Sequence, residues 1–291
     1  MLVMHEDNRQ NRDMPADHSD PLLSRMIDIR GEIKLSTPNA ARMYDYYLGG
    51  TANLEVDRQA AEEQLAVIPT TRDWARENRA FLGRAVRFMI EQGIDQFLDL
   101  GSGIPTVGNV HEIAHHHNPE ARVAYVDFEP VAVAHARYLL GDDPRVTVVQ
   151  EDIRYPQRVL DAPGIRKLLD FSRPVGVLAV AILHFVPDSD DPVGVVRGYR
   201  SACVPGSYLA VSHLSRVTFT DEQMAHGHSV YNRTSTPGTL RSREEIAAMF
   251  EGYQLVDPGL VLLPEWRPDR PVDHRTAQWT NSYAGVGVLA G

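Results

Sequence analysis

The chain has 291 residues, with 29 Lys and Arg against 39 Asp and Glu for a formal net charge of -10, and at roughly 150 residues per domain it holds about two domains or one large one with an addition. Its 43% hydrophobic and 23% charged residues give enough apolar mass for a sizeable core and exclude a disordered or fibrous chain. No apolar stretch, VGVLAVAIL (175–183) included, reaches the ~20 residues that span a bilayer, and an acidic chain without a Lys/Arg cluster repels phosphate backbones. Neither membrane nor nucleic acid is an expected partner. A single cysteine, Cys203, excludes an internal disulfide and predicts a reducing, cytoplasmic setting.

In chain order, residues 1–20 are polar and charged, lack the apolar run of a secretory signal, and read as a flexible tail. Residues 21–92 read as a helical extension. Helices are predicted over 39–47, ending at Gly49-Gly50, over 55–67 before Pro69, and over 72–91. In the third, Trp74, Phe81, Leu82, Ala85, Phe88 and Met89 make one apolar stripe, and Gly93 stops it. From residue 93 onward the period changes. The β-rich runs 96–100, 123–127, 146–150, 175–180 and 207–213 alternate with helical segments such as 131–140 and 193–203, as a parallel sheet covered on both faces requires. Two further runs, 253–266 and 282–291, are joined by a polar, proline-containing loop and predict a terminal antiparallel pair on the sheet edge. The expected fold is therefore α/β: a Rossmann-like, doubly wound sheet of seven strands, five parallel plus that pair, carrying an N-terminal helical extension.

Chemistry concentrates after the first strand. Leu100 ends it, Gly101-Ser102-Gly103 make a tight turn, and Pro105 stands where a helix should begin. In open α/β sheets ligands bind beyond the C-terminal strand ends, with the first such turn the usual place. A dinucleotide fingerprint would need a third glycine where Thr106 stands. Asp127, ending the second strand, suits a ribose, whereas Asp99, just before the turn, would repel a pyrophosphate. Asp152, after the third strand, falls where adenine would lie, with the Ile153 N–H able to donate to a ring nitrogen. Taken singly, each acid also reads as a turn residue or helix cap. Together they suit a ligand with a ribose, no phosphates and a cationic end, and S-adenosylmethionine has an adenosine, a sulfonium and an α-amino group.

The segments PNAARMYDYYLGGTANLEVDRQAAE (38–62), ENRAFLGRAVRF (77–88), QFLDLGSGIPTVGNVHEIA (96–114), VAYVDFEPVAVAHARYLL (123–140), LLDFSRPVGVLAVAILHFVPD (168–188) and PGSYLAVSH (205–213) carry a resemblance to class I S-adenosylmethionine-dependent methyltransferases. More narrowly, the chain resembles a methyltransferase family abundant in actinobacteria, from about residue 36 to its C-terminus. Two positions depart from the wider pattern: Pro105 replaces a third motif glycine, and Phe128-Glu129-Pro130 replaces the usual Asn-Asp-Pro. The resemblance implies S-adenosyl-L-methionine as cofactor, held by Asp99, Gly101, Ser102, Gly103, Asp127, Phe128, Asp152 and Ile153, with Phe128 stacking on adenine. It also implies that the YDYYLGG segment closes as a lid, Tyr44 presenting its face to the sulfonium and Gly49-Gly50 serving as hinge.

Other signals compete. His111-Glu112-Ile113-Ala114-His115 is a literal His-Glu-x-x-His, the zinc-peptidase spacing, but Asn118 stands where the longer zincin pattern has glycine. His184, past the fourth strand, is the candidate general base for an acceptor proton; it also reads as a loop histidine bonded to backbone. His213 has similar placement, and Cys203 has no nearby histidine motif to activate it. The sequence thus predicts a methyltransferase acting on O or N of a small molecule without a metal, with a non-catalytic cofactor-binding sensor or scaffold, or a zinc peptidase, as the alternatives.

Overall fold

The computed structural model describes residues 36–105 and 108–291. The expected tail, the extension up to residue 35, and Thr106 of the glycine turn lie outside the described residues. Elements run α1 (Ala40–Tyr47), α2 (Glu55–Val67), α3 (Thr71–Glu91), β1 (Gln96–Leu100), α4 (Val110–His117), β2 (Arg122–Asp127), α5 (Pro130–Leu140) and β3 (Val146–Gln150). They continue with α6 (Pro156–Asp161), α7 (Pro163–Leu168), β4 (Gly176–Val180), α8 (Pro192–Arg200), β5 (Tyr208–Leu214), α9 (Asp221–Tyr231) and α10 (Arg243–Ala248). β6 (Tyr253–Leu255), β7 (Val261–Leu262), α11 (His274–Ala277) and β8 (Ser282–Leu289) close the chain. Among the described residues no helix is long and apolar enough to cross a membrane.

The eight strands form one sheet in the order β3-β2-β1-β4-β5-β8-β6, with β7 also on β8. β1 to β5 are parallel, and β8 runs antiparallel to β5, β6 and β7. The single strand expected over 253–266 is two, which raises the count from seven to eight. Pro258 has no N–H for a ladder and Gly259 turns the chain at φ 88°, so the run breaks and both halves bond to β8. β8 therefore lies inside the sheet rather than on its edge.

Alternate strand residues feed opposite cores, the two-residue period of a strand. Leu98, Leu100, Val126, Val177, Ala179 and Val211 face one core together with Val159, Ile165, Val195 and Ile246 from α6, α7, α8 and α10. Phe97, Val123, Tyr125, Leu178, Ala210 and Val286 face the other, covered by the α3 stripe and α4. There Phe81 and Trp266, both fully buried, pack edge to face with ring centroids 5.4 Å apart; burial of such a side chain contributes ~1.5–3 kcal/mol.

A third cluster joins Met43, Tyr47, Ala60, Ala61 and Ala75 of the first three helices to Val230 of α9. The extension thus rests on the helix that follows β5. It is also tied to the sheet by charge. Arg42, buried, pairs with buried Asp57 at 2.6 Å and with Glu129 at 3.2 Å, and Asn39, whose side chain caps α1, donates to Glu129 at 2.9 Å. A charge pair out of water holds when its remaining hydrogen bonds are satisfied. Asp57 meets this condition by also accepting from the Asn39 and Leu54 N–H groups.

Candidate active site

β1 delivers the chain into a turn that needs glycine for two reasons. Gly101 sits at φ 71° and Gly103 at φ 63°, backbone that L side chains rarely adopt, and a Cβ on Gly101 would lie 2.2 Å from Cγ1 of Ile182. The N–H groups of Gly101 and Ser102 both donate to the Val126 carbonyl, so the turn folds back over the end of β2. Asp127 completes it: one carboxylate oxygen accepts from the Gly103 N–H at 2.7 Å, the other from the Glu129 N–H at 2.9 Å. Burial pushes this carboxyl upward while those backbone donors pull it back. Asp99, 7% exposed, has no such donors. Burial raises it to about 7, against the pull of the Arg79 guanidinium and with the Asp127 charge adding to the rise.

A cavity of about 460 Å³ opens over these strand ends, within the usual range of roughly 300–1,000 Å³ for small-molecule sites. Of the predicted residues it is lined by Tyr44, Asp99, Gly101, Ser102, Gly103, Asp127, Phe128 and His184. Asp152 and Ile153 are not on its wall. The Asp152 carboxylate is clamped by the Arg154 guanidinium, which also reaches Asp190 at 2.7 Å, and the Ile153 side chain is core.

Of the three tyrosines in the segment expected to close as a lid, Tyr44 lines the cavity, whereas Tyr46 bonds Glu62 at the surface and Tyr47 is buried in the extension. The cation beside the Tyr44 ring is Arg79, 5.6 Å from its centroid. Its hydroxyl donates to the Ala75 carbonyl and accepts from Asn78, each at 3.0 Å. Asn78 accepts in turn from Ser212 of β5 at 2.6 Å, and Ser212 accepts from the Ala181 N–H at 2.9 Å. That chain of bonds couples α1, α3, β5 and the end of β4, where Ala181 is held at φ 55°. The expected hinge is a capped turn: Gly49 adopts φ 84°, and a Cβ on Gly50 would meet the Asp45 carboxylate at 1.9 Å.

His184 is 2% exposed and its Nδ1 has no partner among the described residues. Burial holds it well below the usual imidazole range, and His213 and Arg241 deepen the effect, so it stands neutral. His213 lies behind it, ring centroids 5.6 Å apart. Arg241 donates to His213 Nε2 at 2.9 Å, which leaves the proton on Nδ1, donated to the Leu214 carbonyl at 2.7 Å. The same guanidinium binds the Leu183 and Val186 carbonyls and Asp188, clamping the loop that carries His184.

The His-Glu-x-x-His residues serve the fold instead. His111 bonds the Tyr125 hydroxyl at 2.7 Å, His115 bonds the Ala121 carbonyl at 3.0 Å, and Glu112 caps α4 through the Asn109 N–H at 2.8 Å. Among the described residues no group of three or more His, Cys, Asp or Glu is placed to hold a metal ion. Cys203, pushed up to about 11 by burial, is no nucleophile at neutral pH.

Sequence reasoning missed several wall residues: Trp74, Asn78 and Arg79 on α3, Gln64 on α2, and the whole face supplied by α9 and its flanking loops, including Phe219, Met224 and Tyr231. Asn78 left a trace, a polar residue four positions from both Trp74 and Leu82 in the apolar stripe. Glu129, the departure from Asn-Asp-Pro, also lines the cavity while holding Arg42 and Asn39.

Two buried polar atoms at the glycine-turn end, Ser102 Oγ and Arg79 Nε, have no partner among the described residues, and such atoms call for a ligand or water. A ligand carrying hydroxyls, a carboxylate and positive charge would satisfy this end: the glycine turn admits close approach, Asp99 and Asp127 attract the cation and hydroxyls, and Arg79 attracts the carboxylate. S-adenosylmethionine has these groups.

A family profile described as S-adenosyl methyltransferase matches residues 27–290. The crystal structure of a proposed methyltransferase from Thermobifida fusca YX is 42% identical, covering 89% of this chain and 97% of that one, with a TM-score of 0.83. A DUF574 family protein from Streptomyces avermitilis MA-4680 is 38% identical, covering 87% of this chain and 97% of that one, with a TM-score of 0.81. Curated proteins give no match to the chain. The fold, the acid-lined glycine turn and the length of the match lead to one conclusion: the chain belongs to the S-adenosyl methyltransferase family and is an S-adenosylmethionine-dependent methyltransferase.

Proposed function

We propose that one cavity takes the cofactor at its glycine-turn end and a small-molecule acceptor at the end facing α9, and that an oxygen or nitrogen of that acceptor receives the methyl group. The observation that carries this reading is the segregation of charge along the wall. Arg79, Asp99, Asp127 and Glu129 all lie on the β1–β2 side, while the side beyond β4 and β5 is built from uncharged groups such as Phe185, Phe219, Met224, Tyr231 and Trp279.

When bound, S-adenosylmethionine supplies an electrophilic methyl group on a sulfonium. Asp99 would balance its α-amino charge, Arg79 its carboxylate, and Asp127 with the glycine turn its ribose hydroxyls. Tyr44, Trp74 and the aromatic far wall exclude water from the transfer, which strengthens every charge interaction inside. Such a displacement depends chiefly on holding nucleophile and methyl carbon in line, and the Tyr44–Asn78–Ser212 chain stiffens the wall that does so. Neutral His184 is available to accept the acceptor's proton. The extension supplies α1 and α2 as a cover over both ligands, in a cytoplasmic protein whose Cys203 stays a thiol.

Incubating the purified protein with methyl-labelled cofactor and a fractionated cell extract tests the reading. Label in the small-molecule fraction is the expected result, and label confined to protein or nucleic acid would refute it.

A further inference from the structure

Three polar atoms on the acceptor side of the cavity wall are buried without partners among the described residues: Gln64 Oε1, His184 Nδ1 and Thr236 Oγ1. Gln64 is 6% exposed and His184 2%. A buried carbonyl oxygen that forms no hydrogen bond carries an unrecovered desolvation penalty, so native cavities place such atoms where a ligand or a water meets them. An amide oxygen only accepts, and His184 Nδ1 accepts in the tautomer that carries the ring proton on Nε2. This end of the site therefore calls for a ligand with at least two donors.

Charge narrows the class further. Among the described residues that line the cavity beyond β4 and β5, none is Asp, Glu, Lys or Arg. Arg241, which lies behind His213, is spent on His213, two carbonyls and Asp188 and is not part of the wall. A protonated alkylamine would enter with no carboxylate to pair with, and a carboxylic acid with no Lys or Arg, and a charge taken out of water without a partner is unfavourable. The remaining wall is aromatic and apolar. Phe185 and Tyr231 stand 6.2 Å apart at a tilt of 36°, and Phe219 and Trp279 line the same region, a setting for a flat ring.

Resting on the shared-cavity reading above, we infer that the acceptor is an uncharged aromatic compound carrying two donor groups, methylated on a phenolic hydroxyl that faces His184 while the second donor meets Gln64. The hydroxyl oxygen bonds to the methyl carbon, the carbon–sulfur bond breaks with its electron pair going to sulfur, and the hydroxyl proton passes to His184 Nδ1 and then to water. His184 stands neutral in its buried setting, so a ring nitrogen has a free lone pair for that proton.

Calorimetry on protein loaded with S-adenosylhomocysteine tests this with three probes of one shape: a dihydroxynaphthalene, naphthylmethylamine as the cation and naphthoate as the anion. The diol is expected to bind at least tenfold more tightly than either charged probe, and labelled cofactor to methylate it. Gln64→Leu should weaken the diol about tenfold, the scale of one buried hydrogen bond, and leave affinity for S-adenosylhomocysteine intact. Gln64→Glu should shift preference toward the cationic probe, a gain that misfolding cannot produce. Tighter binding of the amine or the acid, or an unchanged diol affinity in Gln64→Leu, overturns the inference alone. Failure of all three probes on a protein that still binds S-adenosylhomocysteine overturns it together with the shared cavity.

Discussion

Replacing Asp99 by Asn removes a carboxyl that the fold keeps 7% exposed and burial raises from 3.8 to about 7. Because the folded value lies above the unfolded one, the native state keeps a proton between pH 4 and 7 that the unfolded chain releases. The contribution of Asp99 to stability is therefore lost as pH rises through that window, at up to ~1.4 kcal/mol per pH unit. Over the whole interval the ceiling is about 4 kcal/mol. Asn carries no charge at any pH, so Asp99→Asn should gain on the parent protein by about 2–3 kcal/mol between pH 5 and 8 and no more above that. For a chain of this size that corresponds to roughly 5–10 °C in Tm. Denaturant titrations of both proteins without ligand at pH 5, 6, 7 and 8 read the difference directly. A gap that is the same at pH 5 and 8 would show that Asp99 does not titrate where its burial places it. The same variant should bind S-adenosylhomocysteine at least tenfold more weakly, since an uncharged amide no longer balances an ammonium.

Three more outcomes follow from the geometry. Binding of S-adenosylhomocysteine to the parent protein should tighten from pH 6 to 8 and release a proton as Asp99 ionises against the ligand's positive charge; calorimetry in two buffers of different ionisation enthalpy detects that proton, and equal heats would contradict it. Arg241→Met removes a donor from the buried Leu183 and Val186 carbonyls and from exposed Asp188, a loss of about 1–3 kcal/mol that chemical denaturation would register; a change below about 0.5 kcal/mol would remove the clamp from the account. Gly101→Ala drives a Cβ to 2.2 Å from Ile182 and should cost about 1–3 kcal/mol. Adding Ile182→Ala should return part of that loss, and strict additivity in the double-mutant cycle would mean that the two side chains do not collide.

The strand–helix alternation was legible because each element carries its own period. β1 and β3 stand where their apolar runs lie, and α2 spans the expected 55–67. Where two signals competed, reading failed: 253–266 is apolar enough for one strand, yet Pro258 and Gly259 divide it. At the site, Asp99, Asp127 and the glycines were visible since strand ends, acids and positive φ are local properties. Asp152 obeyed the same local rule and still faces Arg154, because the position of a neighbouring guanidinium is not a property of the strand end. Arg79 was invisible for the opposite reason. α3 carries Arg72, Arg76, Arg79, Arg84 and Arg87, and only packing decides which of them turns toward the cavity.

By itself the sequence determined the α/β framework, the glycine turn and its acids, and with them a cationic, phosphate-free cofactor, because periodicity, strand ends and turn residues are local signals. The tertiary structure alone decided which residues wall the cavity over the glycine turn. Asn78 meets Ser212 across 134 positions and Arg42 meets Glu129 across 87, and the wall toward α9 assembles from segments as far apart as Gln64 and Trp279. Burial and hydrogen-bond distance act through space, so that wall took form only when those segments packed together.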